Sequence, residues 1–144
     1  MIRGGEPTLS ASLYIVATPI GHLDDMSLRA IDVLRRVNVI AAEDTRHSSR
    51  LLRHFDIRTP LISYHDHSEA SDLEGMLKRL RADETIALIS DAGTPLVSDP
   101  GYKLVVACHR EQIPVVPIPG PSATITALSA AGLPTDHFLS LIHI

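Results

Sequence analysis

Tryptophan is absent from the 144-residue chain, and aromatic residues of all kinds make up only 3% of it. A core without large rings must be assembled from Leu, Ile, Val and Ala. Cysteine occurs once, as Cys108, which excludes an internal disulfide and fits a reducing compartment. No apolar run approaches the roughly 20 residues that a membrane-spanning helix needs. Basic residues do not dominate: 13 Lys and Arg against 17 Asp and Glu leave a net charge of −4. That balance excludes a generic polycationic nucleic-acid coat, while leaving room for a local RNA-binding patch. The first twelve residues, MIRGGEPTLSAS, lack the apolar stretch of a secretory signal, so 1–12 is expected to be a flexible leader and the location cytoplasmic.

What is present fits one globular domain: hydrophobic residues at 44% and charged residues at 21%. Short branched apolar runs alternate with amphipathic stretches. The predicted strands are 13–20, 39–42, 60–65, 85–90 and 114–118. Between and after them, helices are predicted from Ser27, over 45–55, from Ser71, over 103–112 and over 122–131. In the first helix Leu28, Ile31 and Leu34 are placed on one buried face. In the third, Ser71 and Glu74 have capping-box spacing ahead of Leu73, Met76, Leu77 and Leu80. Five strand-then-helix units imply an α/β fold, a parallel sheet covered by helices on both faces.

Ligands in open parallel sheets bind beyond the carboxyl ends of the strands. Three of those ends are unusual. They are Thr18-Pro19-Ile20-Gly21, the stretch SDAGTPLVSDPG from Ser90 to Gly101, and Pro119-Gly120-Pro121-Ser122. Each combines Pro, which stiffens the chain, with Gly, which lets a ligand approach the backbone. Singly each is as well explained as a tight turn; together they suggest a binding rim. The standard phosphate loops are missing: there is no G-x-G-x-x-G and no G-x-x-x-x-G-K-[ST]. There is no G-x-S-x-G elbow, and no His/Cys set has zinc spacing. His65 and His67 alone do not make a metal site, so no metal is expected.

LYIVATPIGHLDDMSLRAIDVL, AAEDTRHSSRLL, LISDAGTPLVSDPGYKLV and VVPIPGPSATITAL together resemble the amino-terminal domain of the tetrapyrrole methylase superfamily. The resemblance covers residues 13–139. Within the superfamily the wording is closest to bacterial members that methylate a cytidine 2′ oxygen in small-subunit ribosomal RNA. It implies a five-stranded parallel sheet in the order 3-2-4-1-5, which makes the three unusual corners neighbours. It also implies S-adenosylmethionine in a cleft between two domains. Carried over, Pro19, Ile20, Gly93, Thr94, Pro95, Val97, Ser122 and Ala123 match cofactor-lining positions. His22 departs from the family pattern, which has Asn there. After Leu139 the wording also departs, so 140–144 is expected to be an atypical tail with the second domain absent.

Methyl transfer from a sulfonium to a ribose hydroxyl requires alignment and an acceptor for the hydroxyl proton. Asp44, beyond the second strand, has two readings: a base or orienter, and an N-cap of the next helix. Asp91 and Asp99 are candidates to hold their own loops through backbone hydrogen bonds. At 100° per residue Arg46, Arg50 and Arg53 share one helix face, opposite Leu51, Leu52 and Phe55. That stripe suits RNA phosphates and equally a solvated surface. The implied partners are small-subunit ribosomal RNA and, in the full-length protein, a second copy. Methylation of a tetrapyrrole or other small acceptor, and a non-catalytic fragment, stand as alternatives.

Overall fold

The alternation of runs folds into five strands and five helices in the computed structural model, which describes residues 9–65, 70–96 and 101–141. In chain order these are β1 (Leu13–Val16), α1 (Leu28–Arg36), β2 (Val39–Ala42), α2 (Thr45–His54), β3 (Leu61–Ser63), α3 (Ala70–Arg81), β4 (Ile86–Ile89), α4 (Tyr102–Arg110), β5 (Val115–Ile118) and α5 (Ala123–Ala130). A 3-10 turn over Leu23–Asp25 separates β1 from α1. The strands form one parallel sheet in the order β3-β2-β4-β1-β5, as the resemblance implied. Leu13 aligns with both Ile86 and Val115, so β1 lies inside the sheet between β4 and β5.

Side chains alternate between the two faces of a strand, and β1 divides accordingly. Tyr14 and Val16 join Ala30, Val33 and Leu34 of α1 and Leu52 of α2. Leu13 and Ile15 join Met76, Leu77 and Leu80 of α3 and Leu104 and Cys108 of α4. On the second face Arg81 ties α3 to α4, donating to Glu111 through Nε at 2.7 Å and Nη2 at 2.6 Å. This fork holds the Glu111 carboxyl below the usual glutamate range. α5 differs from the other helices in burying none of its residues.

Four local expectations change. Leu28 is 86% exposed, and the buried face of α1 is Ala30, Val33 and Leu34. Steps of three residues drift by about 60° around a helix, so Leu28 ends about 120° from Leu34 and outside that face. Ser71 does not cap α3: the helix already includes Ala70, and Glu74 bonds Arg81 instead of reaching back to the helix start. The first strand stops at Val16, because the segment beyond it crosses to another loop. Finally, the folded body begins before Leu13. Ser12 is buried with its carbonyl accepting the Ile86 N–H at 3.2 Å, and Leu9 packs against the core. The rest of the expected leader, 1–8, lies outside the described residues, as do 142–144 of the tail.

Cys108 is fully buried, and burial pushes its thiol up to about 11. At pH 8 the native thiol is therefore expected to react with iodoacetamide at least about a hundredfold more slowly than the urea-unfolded chain. Mass spectrometry of timed aliquots reads this directly; equal rates would mean that the α4 face is open.

Candidate active site

The three unusual corners meet. Beyond β1, the Thr18 N–H donates to the Gly93 carbonyl at 2.9 Å, and the Gly93 N–H returns to the Thr18 carbonyl at 3.0 Å. This isolated antiparallel bridge joins the loops after β1 and β4 at the end of a parallel sheet. The buried Thr18 hydroxyl donates to the Ser90 carbonyl at 3.1 Å, removing an orphan acceptor where β4 ends. The Ser90 hydroxyl, also buried, lies 3.3 Å from the carbonyls of Ala92 and Gly93. The third corner is attached from the second, since the Thr94 hydroxyl donates to the Pro121 carbonyl at 2.9 Å. Leu96 closes the β4 loop in a left-handed conformation at φ 80°, costly for a bulky side chain and held here by packing on the α3–α4 face.

Of the residues matched to cofactor-lining positions, Pro19 and Ile20 are half-buried on the β1 loop. Gly93 and Pro95 are buried in the β4 loop, while Thr94 is exposed above them. Ser122 caps α5, its hydroxyl accepting the Ile125 N–H at 3.5 Å, and Ala123 is the exposed first residue of that helix. The structure thus brings all seven to the β4–β1–β5 junction. Val97 lies outside the described residues, as do Asp99 and His67.

Asp44 sits at the end of β2, where its carboxylate accepts the N–H groups of Arg46 at 2.8 Å and His47 at 3.1 Å. It is the N-cap of α2. The His47 and Arg46 backbone bonds hold its carboxyl below the usual aspartate range, which weakens it as a proton acceptor. Arg46, Arg50 and Arg53 are all exposed, and the structure divides their stripe among three concavities. Arg46 joins Glu43, Ser63, His65 and Asp91 around a shallow basin of about 570 Å³ at the ends of β2 and β3. Arg50 lines a cavity of about 270 Å³ between the 3-10 turn and α2. Arg53 lies with Arg58 in a trough of about 360 Å³ at the far end of α2. Arg58 is paired with Asp56 at 3.1 Å, whereas Arg50 and Arg53 meet no carboxylate among the described residues.

The sequence reading missed the 3-10 turn, and with it the 270 Å³ cavity. A signal existed in His22-Leu23-Asp24-Asp25, an acceptor followed by two acidic residues. In the structure His22 Nδ1 accepts the Asp24 N–H at 3.3 Å, the task an Asn carbonyl performs at a helix start. The departure at position 22 therefore preserves the local cap. His65 Nε2 lies 2.9 Å from the Ser63 hydroxyl, and no metal-binding group of His, Cys, Asp and Glu occurs among the described residues.

The profile of the tetrapyrrole (corrin/porphyrin) methylases matches residues 12–144. Among curated proteins, the Ribosomal RNA small subunit methyltransferase I of Escherichia coli O157:H7 is 58% identical over 126 residues, 88% of this chain and 44% of that protein. The protein of that name from Synechocystis sp. is 56% identical over 127 residues, 88% of this chain and 46% of its own length. The chain thus spans a little under half the length of these relatives. Among solved structures, uroporphyrin-III-C-methyltransferase from Thermus thermophilus superposes with a TM-score of 0.64 at 24% identity, over 88% of this chain and 54% of that one. A cobalt precorrin-4 methyltransferase gives 0.64 at 20%, over 84% and 50%. At these identities the likeness is one of fold.

Proposed function

Because the chain belongs to the tetrapyrrole methylase family, we propose that its loop junction is one wall of an S-adenosylmethionine cleft. In its complete form the protein then methylates the 2′ oxygen of a cytidine in small-subunit ribosomal RNA. The observation that carries this reading is the junction itself: three corners from β1, β4 and β5, bonded to one another beyond the carboxyl edge of the sheet. The RNA acceptor is supported by the name that relatives above half identity carry. A second domain supplies the opposite wall, as the resemblance implies.

The junction fits such a cofactor. The hydroxyls of Thr18 and Thr94 are bonded to backbone, so they hold the loops in place. Pro19, Ile20 and Ala123 supply apolar surface, and Thr94 and Ser122 stand at the rim. Gly93, bonded to Thr18 through both its N–H and its carbonyl, and the buried Pro95 hold the corner beneath them, with Val97 the remaining matched position. When bound, S-adenosylmethionine supplies a methyl group already activated on a sulfonium. The chain's contribution is to hold the acceptor in line and to keep water away. Asp44 enters as the residue that fixes the start of α2 and hence the direction of Arg46 and Arg50 towards RNA; Arg53 continues the phosphate track. The same reading places the protein in the cytoplasm, where ribosomal subunits are assembled, and as a homodimer in its complete form.

Tritiated methyl transfer tests this. The complete protein is incubated with labelled S-adenosylmethionine and either undermethylated small ribosomal subunits or a tetrapyrrole precursor. Label is expected in the RNA, in an alkali-resistant dinucleotide containing cytidine. Label in the tetrapyrrole alone, or no transfer by protein that binds the cofactor, would overturn the assignment.

A further inference from the structure

The 270 Å³ cavity between the 3-10 turn and α2 borders the loop junction without belonging to it. Pro19 and Asp91 line the cavity, and they stand on the same two loops that the Thr18–Gly93 bridge fastens together. Anything seated there touches the outer side of the β1 and β4 corners. Its walls are of two kinds. Leu23 from the 3-10 turn and Leu51 from α2 form apolar surface, while His22, His47 and Arg50 present rings and a cation. Arg50 is exposed and meets no carboxylate among the described residues, unlike Arg36, Arg58, Arg79 and Arg81. A guanidinium left in this state beside an apolar slot suits a ligand with a flat face and an anionic end.

We infer that this cavity seats one unpaired ribonucleotide of the RNA acceptor. Its base lies on Leu23 and Leu51, with His22 and His47 at the ring edges, and its phosphate is on Arg50. Phosphates are recognised by forked guanidinium bonds, which Arg50 can supply, and an unpaired base finds apolar contact on Leu23 and Leu51 with two imidazole rings beside it. The Asp91 carboxylate, at the inner end, accepts from the ribose hydroxyl or the exocyclic amine. A nucleotide held this way has its sugar at the β1–β4 corners, beside the proposed cofactor wall. The inference rests on the RNA-methylating reading and adds to it the place where the acceptor sits. Single-stranded RNA is favoured over a duplex because a cavity of this volume admits one nucleoside and no paired partner.

The test is a titration of the ¹⁵N-labelled complete protein, followed by amide shifts, with cytidine 5′-monophosphate, cytidine, inorganic phosphate and S-adenosylmethionine in separate arms. The monophosphate is expected to move Gly21, His22, Leu23, His47, Arg50 and Leu51, and to bind more tightly than cytidine or phosphate. Arg50→Glu is expected to weaken it by about tenfold or more, while Arg110→Glu, on α4, leaves it within about twofold. Shifts centred elsewhere, equal affinity for phosphate alone, or an unaffected Arg50→Glu would each overturn the inference. The cofactor arm separates the two levels. Nucleotide binding in the cavity without binding of S-adenosylmethionine removes the methyl-transfer reading and leaves the seat. Cofactor shifts at Thr18, Gly93 and Gly120 without nucleotide shifts remove the seat alone.

Discussion

Gly101→Ala is expected to lower stability by about 3 kcal/mol and the melting temperature by about 10 °C. Gly101 is the N-cap of α4 at φ 122° and ψ −12°, a conformation that L side chains rarely adopt. A Cβ there would collide with Cδ2 of Leu88 and lie 3.3 Å from Cδ2 of Leu96. Leu88 is 2% exposed in β4 and belongs to the same buried cluster as Leu104, so it has no free direction in which to retreat. Strain and overpacking therefore add. Urea and thermal unfolding followed by circular dichroism measure the loss. Gly75→Ala is the comparison, because Gly75 lies within α3 with nothing near its missing side chain, so Ala should stabilise by about 0.5–1 kcal/mol. If the two substitutions changed stability alike, the packing described around Leu88 would be wrong.

Gly120→Ala should act chiefly on the proposed site. Its Cβ would lie 2.8 Å from that of Ala17 and 3.6 Å from the Ala17 carbonyl oxygen. Nothing flexible stands between the corners, so the β5 loop has to move away from β1. Such a shift strains the Thr94–Pro121 bond and widens the junction. Displacements of this order cost up to about a hundredfold where alignment matters. Cofactor affinity in the complete protein is expected to fall by at least about tenfold, with a stability loss of about 1–2 kcal/mol. Calorimetric titration measures the first and thermal unfolding the second. Adding Ala17→Gly removes the opposing methyl and should restore both. Undiminished affinity in Gly120→Ala, or no rescue in the double variant, would show that the corners' separation does not govern the cleft.

The sequence disclosed these corners but not their fastening. Pro and Gly at strand ends mark where a chain turns, and Ser27, Ser122 and Asp44 mark where helices begin, because turns and caps are local chemistry. Strand order is not local. Periodicity gave five units, and only the resemblance placed β1 between β4 and β5, on which the meeting of the loops depends. Angular position around a helix has the same limit. Arg46, Arg50 and Arg53 share a face of α2, yet each lines a different concavity, because neighbouring elements partition that face. The cavity beside Arg50 needs the 3-10 turn opposite, and a single turn is too short to print a hydrophobic period. Leu28 shows the converse error: its spacing suggested burial, and six residues of angular drift carried it into solvent.

The interior position of β1 has a consequence for synthesis. Leu13 is paired with Ile86 and Val115, partners roughly 70 and 100 residues downstream, so β1 leaves the ribosome well before either of its hydrogen-bonding neighbours. Only β2 and β3 find each other early. The sheet therefore closes only once β4 and β5 have both emerged, and a waiting interval, with unpaired apolar β1 exposed to chaperones, follows from the strand order.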